Sequence, residues 1–215
     1  MATKRKVNNL LALAVLSVIV ERPMHRYEIA SKLKERGKDR DMDIKWGSLY
    51  TVVQNMAKAG FLEAIGSERD GARPERVIYR ITEAGRTEMR DWTAELIADP
   101  DLEASRFTAG LSILGALPPD LVIELLGRRI AVLDETIAGI RQELGALVGK
   151  LPRMFTVETE YGLAMLSAEV EWARSFRAEL AEGTFPDLEF WRRVHADNID
   201  PAEFFDQVER GETPQ

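Results

Sequence analysis

Apolar residues recur at helical spacing up to Gly60 and at strand spacing beyond it, so the front of this chain must turn from helix to sheet there. In residues 45–60, steps of about 100° per residue gather Leu49, Val52, Val53, Met56 and Ala57 on one face. Thr51, Gln54, Asn55 and Lys58 fall on the opposite face, with Tyr50 on the flank. Gly47-Ser48 is the expected N-cap of this helix and Gly60 its expected stop. Two further helices are predicted upstream. Residues 10–20 are apolar almost all round, which suits a central helix packed on several sides, and Pro23 ends it. Residues 27–36 place Ile29, Ala30 and Leu33 inward and lysines outward, and Gly37 stops them. A charged connector, residues 38–43, leads into the third helix, so residues 8–60 have helix-turn-helix spacing.

After Gly60 come a short alternating run, residues 61–65, a polar turn, residues 68–74, and a β-rich run, residues 77–81. This is a hairpin whose tip carries Arg69, Arg73 and Arg76. Three helices followed by a basic hairpin make a winged helix. Side-chain amides can read adenine edges in a major groove, whereas hydroxyls and cations hold phosphate. On this reading Thr51, Gln54, Asn55 and Lys58 face bases or phosphate, Lys45, Ser48 and Tyr50 face the DNA backbone, and Arg73 and Arg76 serve the wing.

The back half reads as all helix. Residues 82–85 close the wing and begin a helix to about Ala98; residues 103–117 look helical, and Pro118-Pro119-Asp120 starts another helix. Along it Ile123, Leu126, Ile130, Leu133, Ile137, Ile140, Leu144, Leu147 and Leu151 alternate steps of three and four, a coiled-coil seam that calls for antiparallel or intersubunit packing, with pairing inside one chain also open. Pro152 breaks that helix. The next begins near Thr156, with Tyr161, Met165, Ala168, Trp172, Phe176 and Leu180 as its stripe. The expected dimerisation set is Ile130, Leu133, Ile137, Ile140, Leu144, Leu147, Trp172 and Phe176. Trp92, just past the wing, is the best candidate for stacking against a flat ligand, against the alternative of a core or interface tryptophan. The tail from Gly183 holds aromatic residues among acids and is expected to dock as a short helix, its last residues disordered.

Charge separates the same two regions. The net charge is −7, yet residues 1–90 hold 18 Lys and Arg against 12 Asp and Glu, while residues 91–215 hold 11 against 24. A basic front half suits a polyanion. The absence of cysteine excludes disulfides and thiolate metal sites, and two isolated histidines argue against zinc. Lys4-Arg5-Lys6 before an apolar run imitates a signal peptide, but no small-x-small cleavage site follows and the run is too short to span a bilayer. No Gly-x-Ser-x-Gly, His-Glu-x-x-His or Gly-x-Gly-x-x-Gly occurs; the sequence implies no catalytic residues, metal or cofactor, and no enzyme.

Specific residues carry a family resemblance. Met24-His25-x-Tyr27-Glu28-Ile29, Gly47-Ser48-Leu49-Tyr50, Ala59-Gly60-Phe61-Leu62-Glu63, Arg73-Pro74-Glu75-Arg76 and Tyr79-Arg80-Ile81-Thr82-Glu83-Ala84-Gly85, in that order, resemble the PadR family of bacterial transcriptional regulators. The helical back half is similar to the longer variety in that family. Arg26 stands where the family commonly has glycine, adding a cation near the start of the second helix; if that glycine served a positive φ, arginine would change the turn. The resemblance implies a homodimer on a near-palindromic operator of double-stranded DNA, mostly repressing, with release by a small molecule or another signal.

The expected fold is therefore mainly α with a small β-hairpin wing: a winged helix-turn-helix domain over residues 1–90, an all-helical dimerisation domain over 91–183, and a tail over 184–215. The expected function is a cytoplasmic, sequence-specific transcriptional regulator that does not engage membranes. The competing reading is a protein-interaction adaptor on a winged helix without specific DNA binding.

Overall fold

The computed structural model describes residues 5–38, 42, 46–68, 76–100 and 105–197. The chain divides into two compact units between Leu102 and Glu103. In the first, α1 (Leu10–Ile19), α2 (Arg26–Glu35) and α3 (Leu49–Lys58) are followed by strands β2 (Leu62–Glu68) and β3 (Arg76–Ile81) and by α4 (Glu83–Ala98). The boundary placed by sequence at 90/91 falls inside α4.

Helix α1 is the central element expected from its all-round hydrophobicity: Leu11 to Leu16, Val18 and Ile19 are buried, and it packs against α2, α3, α4 and β3. Asn9 caps it, its side chain accepting the Leu11 N–H at 2.9 Å. Nine of its ten residues are apolar, and of those all but Leu10 are buried; no described helix is long and apolar enough to cross a membrane.

The segment between α1 and α2, read from the sequence as a turn, contains a short strand, β1 (Met24–His25), which pairs antiparallel with Tyr79 and Ile78. The sheet order is β1-β3-β2. Two residues carry no alternation to detect, and burial of both Met24 and His25 erases the usual in-out contrast. The His25 N–H, at the head of α2, donates to Glu28 at 2.8 Å. Burial alone would raise the Glu28 carboxyl, but that amide and Arg22 hold it below the usual carboxylate range.

Helix α3 buries Leu49, Val52, Val53 and Met56, the face expected from its periodicity. Its entry differs from expectation. Trp46–Ser48 form a 3-10 turn, and Ser48 already has helical backbone angles (φ −92°, ψ −7°), so its side chain does not cap the helix. The exit is as expected: Gly60 has φ 84°, the Phe61 N–H donates to Met56 O at 2.9 Å and the Gly60 N–H to Ala57 O at 3.1 Å.

The wing strands pair from Leu62 opposite Ile81 to Glu68 opposite Arg76, with a bulge between Ala64 and Gly66. Strand β2 thus runs beyond the expected 61–65. Gly66 and Ser67 look like turn residues, but the bulge lets their backbone rejoin the ladder. At the foot of the wing, Thr82 Oγ1 accepts the Gly85 N–H at 3.0 Å and donates to Gly60 O at 2.6 Å. A Cβ built at Gly85 would lie 2.2 Å from Phe61 O, so only glycine permits α4 this close to the exit of α3. The Ala-Gly-Phe-Leu and Thr-Glu-x-Gly motifs are thus two sides of one contact.

The second unit contains α5 (Arg106–Ser112), a 3-10 turn (Leu114–Ala116), α6 (Pro119–Leu147), α7 (Val157–Glu182) and α8 (Leu188–Ala196). Pro119 opens α6 at N1. Helices α6 and α7 pack as an antiparallel hairpin, bridged by Arg129 to Glu169 (2.7 Å from Nε) and Arg174 to Asp134 (2.6 Å). The heptad seam is therefore engaged at least partly within one chain: Ile123, Leu126 and Ile130 pack with Ala173, Phe176 and Leu180. Leu151 lies past the end of α6.

On α7 the structure separates two faces that the sequence stripe merged. Val170, Ala173 and Leu180 are buried, whereas Tyr161, Met165 and Trp172 remain 67%, 49% and 45% exposed. Rings link Phe107, Trp172, Phe176, Phe185 and Trp191 at centroid spacings from 5.2 to 6.0 Å. The first part of the tail docks here through α8, with Trp191 Nε1 donating to Leu117 O at 2.9 Å. Phe204 and Phe205 lie outside the described residues.

Candidate nucleic-acid interface

Helix α3 is held by its buried face against α1, α2 and β2, which fixes its opposite face outward. Thr51, Asn55 and Lys58 are exposed there and Gln54 is half-buried beside them. No carboxylate occurs in this helix, so nothing on it repels phosphate. Tyr50, 51% exposed on the first turn, is not a loose side chain. Gln54 Nε2 donates to its hydroxyl at 2.7 Å, and the Arg26 guanidinium carbon sits 4.0 Å from its ring centroid.

The backbone answers the question posed by Arg26. It is the first residue of α2, and the only non-glycine with positive φ among the described residues is Asp187, so the turn does not need glycine there. His25, half of the same motif, is buried, stacks on Tyr27 at 5.6 Å and lies 3.3 Å from Val77 O through Nδ1. Its position joins the start of α2 to the wing.

Of the remaining expected site residues, Ser48 lies half-buried in the 3-10 turn and Arg76 begins β3 opposite Glu68. Lys45 and Arg73 lie outside the described residues. Two contacts at this surface leave no trace in the sequence. Arg26, expected only to add a cation near the start of α2, lies over the Tyr50 ring, and Lys34 lies over the Trp46 ring at 4.9 Å, joining α2 to the entry of α3. Both are cation–aromatic contacts between residues distant in sequence, which helical periodicity does not display.

Trp92, expected as either a ligand platform or a packed side chain, is a core residue of this unit at 4% exposure. The Arg5 guanidinium carbon covers its ring at 5.0 Å and is itself ion-paired with Glu88 at 2.6 Å and with Glu95. The helical face carrying Trp92 is occupied by the N-terminal segment, leaving no open aromatic surface. Among the described residues there is no group of three or more side chains able to hold a metal ion.

A three-helix core with an outward polar helix, followed by a two-stranded wing, defines a winged-helix protein. Residues 15–91 match the profile of the transcriptional regulator PadR-like family. Over those residues the winged-helix unit is similar to the transcriptional regulators of that family. The fold is similar to that of Bacillus subtilis PadR in complex with operator DNA, at 18% identity, covering 80% of this chain and 99% of that one with a TM-score of 0.66. The structure of the same regulator with p-coumaric acid matches at 17% identity, 80% and 99% coverage and a TM-score of 0.66. The Vibrio cholerae virulence activator AphA matches at 20% identity, 80% and 98% coverage and a TM-score of 0.58. At these identities the likeness establishes the fold. No curated protein matches the chain in sequence.

Proposed function

We propose that the protein is a cytoplasmic homodimeric repressor that reads a near-palindromic operator through α3, has no enzymatic activity, and is released from DNA by a small molecule. The observation that carries this reading is the outer face of α3, where Thr51, Gln54, Asn55 and Lys58 stand together with no acidic residue. Hydroxyl, amides and one cation are the groups that hydrogen-bond base edges and phosphate in a major groove. Ser48 and Tyr50 at the head of the helix would meet the DNA backbone, joined by Lys45, and Arg73 and Arg76 would place the wing on flanking phosphate. The Bacillus subtilis relative, of the same fold, is bound to operator DNA in one structure and to p-coumaric acid in another, which supports both the DNA partner and a small-molecule effector.

Dimerisation would use the apolar surface that one chain leaves open: Tyr161, Met165 and Trp172 on α7, with the half-buried Leu133, Ile140, Leu144 and Leu147 of the heptad seam. Ile130, Ile137 and Phe176, more engaged within the hairpin, would stiffen that surface. Two copies related by a two-fold axis would present two α3 helices to half-sites about one DNA turn apart.

Substitution on α3 separates base reading from charge. Gln54→Ala or Asn55→Ala should cost about 1–3 kcal/mol of discrimination at one base position of each half-site and little elsewhere. Lys58→Ala should weaken binding to every sequence and lower the salt slope by about 1. Competition binding against single-base operator variants checks this; equal losses on all sequences for Gln54→Ala and Asn55→Ala would remove their base-reading roles.

A further inference from the structure

We propose that Arg26 is a positioning residue for sequence reading: it fixes Tyr50, and Tyr50 fixes the carboxamide of Gln54 for bidentate contact with adenine. This deepens the assignment of α3 as the reading helix and rests on it. Arg26 opens α2 and Tyr50 lies on the first turn of α3; the packing of these two helices brings the guanidinium carbon to 4.0 Å from the ring centroid. A guanidinium over a ring face is held by the ring quadrupole, which restrains a tyrosine otherwise half in solvent.

One turn further along, Gln54 Nε2 donates to the Tyr50 hydroxyl at 2.7 Å. A carboxamide has two N–H groups and a carbonyl oxygen. With one N–H given to Tyr50, the other N–H and Oε1 remain, the pair that meets N7 and the N6 amino group of adenine. The tyrosine hydroxyl accepts this bond and keeps its own proton to donate to a phosphate oxygen. The three side chains thus order the reading group before DNA arrives, and the rotamer entropy of a long polar side chain is not lost on binding. Arg26 acts through Tyr50, not through a base.

The test uses the full-length protein with Gln54→Ala, Tyr50→Phe, Arg26→Ala and Arg26→Lys. Each selects from a pool of duplexes randomised across the binding site, and sequencing of bound DNA gives the preference at every position. Gln54→Ala should flatten an adenine preference in each half-site by roughly tenfold or more. Tyr50→Phe, which removes only the hydroxyl, and Arg26→Ala should flatten the same position, and Arg26→Ala combined with Gln54→Ala should be no flatter than Gln54→Ala alone. Arg26→Lys, which can keep a cation over the ring, should retain more of the preference than Arg26→Ala. Uniform weakening by Arg26→Ala, with every preference intact and a salt slope lower by about 1, would make Arg26 a phosphate contact and overturn the relay. An intact preference in Tyr50→Phe would also overturn it, whatever the folding of the Arg26 variants. If Gln54→Ala changes no position, or the wild type enriches no sequence, base reading by α3 fails and the relay falls with it. A relay that fails alone is recognised because Gln54→Ala still shows its effect.

Discussion

Gly85→Ala is expected to destabilise the winged-helix unit by about 3 kcal/mol, the upper part of the range for forcing an extra methyl into a packed site. The added Cβ would meet Phe61 O at 2.2 Å and Ile81 Cγ1 at 3.0 Å. The first neighbour is backbone and cannot rotate away. It is also held in place: Phe61 O accepts the Thr82 N–H at 3.0 Å, and the Phe61 N–H is tied to Met56 O at 2.9 Å. Relief therefore requires α4 to move off the exit of α3, breaking the Thr82 bond to Gly60 O as well. Intrinsic helix propensity works the other way, but Gly85 is the third residue of α4, where alanine gains less than the about 1 kcal/mol of a helix interior. Urea unfolding of the full chain should show a lower midpoint with an unchanged slope for the winged-helix transition. A variant within about 0.5 kcal/mol of wild type would mean that the two segments separate without cost, and the motif pairing would need another explanation.

Met165→Asp is expected to leave each chain folded and to dissociate the proposed homodimer, lowering affinity for a two-half-site operator by about 100-fold or more, because the second half-site then loses its intramolecular advantage. Met165 is 49% exposed in the single chain and lies on α7 between Tyr161 and Trp172, a run of large apolar side chains open to solvent. Asp costs little where the side chain meets water, but near a two-fold axis the substitution can place two carboxylates against an apolar surface. Sedimentation at micromolar concentration, with binding to full and half operators, reads both effects. A Met165→Asp dimer of undiminished affinity would move the interface to another face, and a monomeric wild type would remove the homodimer altogether.

Much of this architecture is legible in the sequence because its elements carry strong periodic signals. The buried face of α3, the all-round burial of α1 and the start of α6 at Pro119 follow from apolar spacing and cap chemistry. What escaped is what periodicity cannot encode. Strand β1 has two residues, and the bulge near Ile65 conceals the second half of β2 behind glycine and serine. The stripe on α7 merged two faces because Trp172 and Phe176 are aromatic, whereas the hairpin is closed by the smaller Val170 and Ala173. At the interface, the outward residues of α3 are readable from one helix alone. The link from Arg26 to Tyr50 depends on how α2 crosses α3, a tertiary fact with no local signature.

The most direct test of the central claim, that α3 reads sequence, is a titration of the purified full-length protein against duplex DNA from upstream of its own gene and against a scrambled duplex, at two salt concentrations. Tight binding at one site is expected, with the scrambled duplex weaker by about a thousandfold or more and both affinities falling as salt rises. Equal affinity for the two duplexes, or no binding to either at low salt, would contradict it.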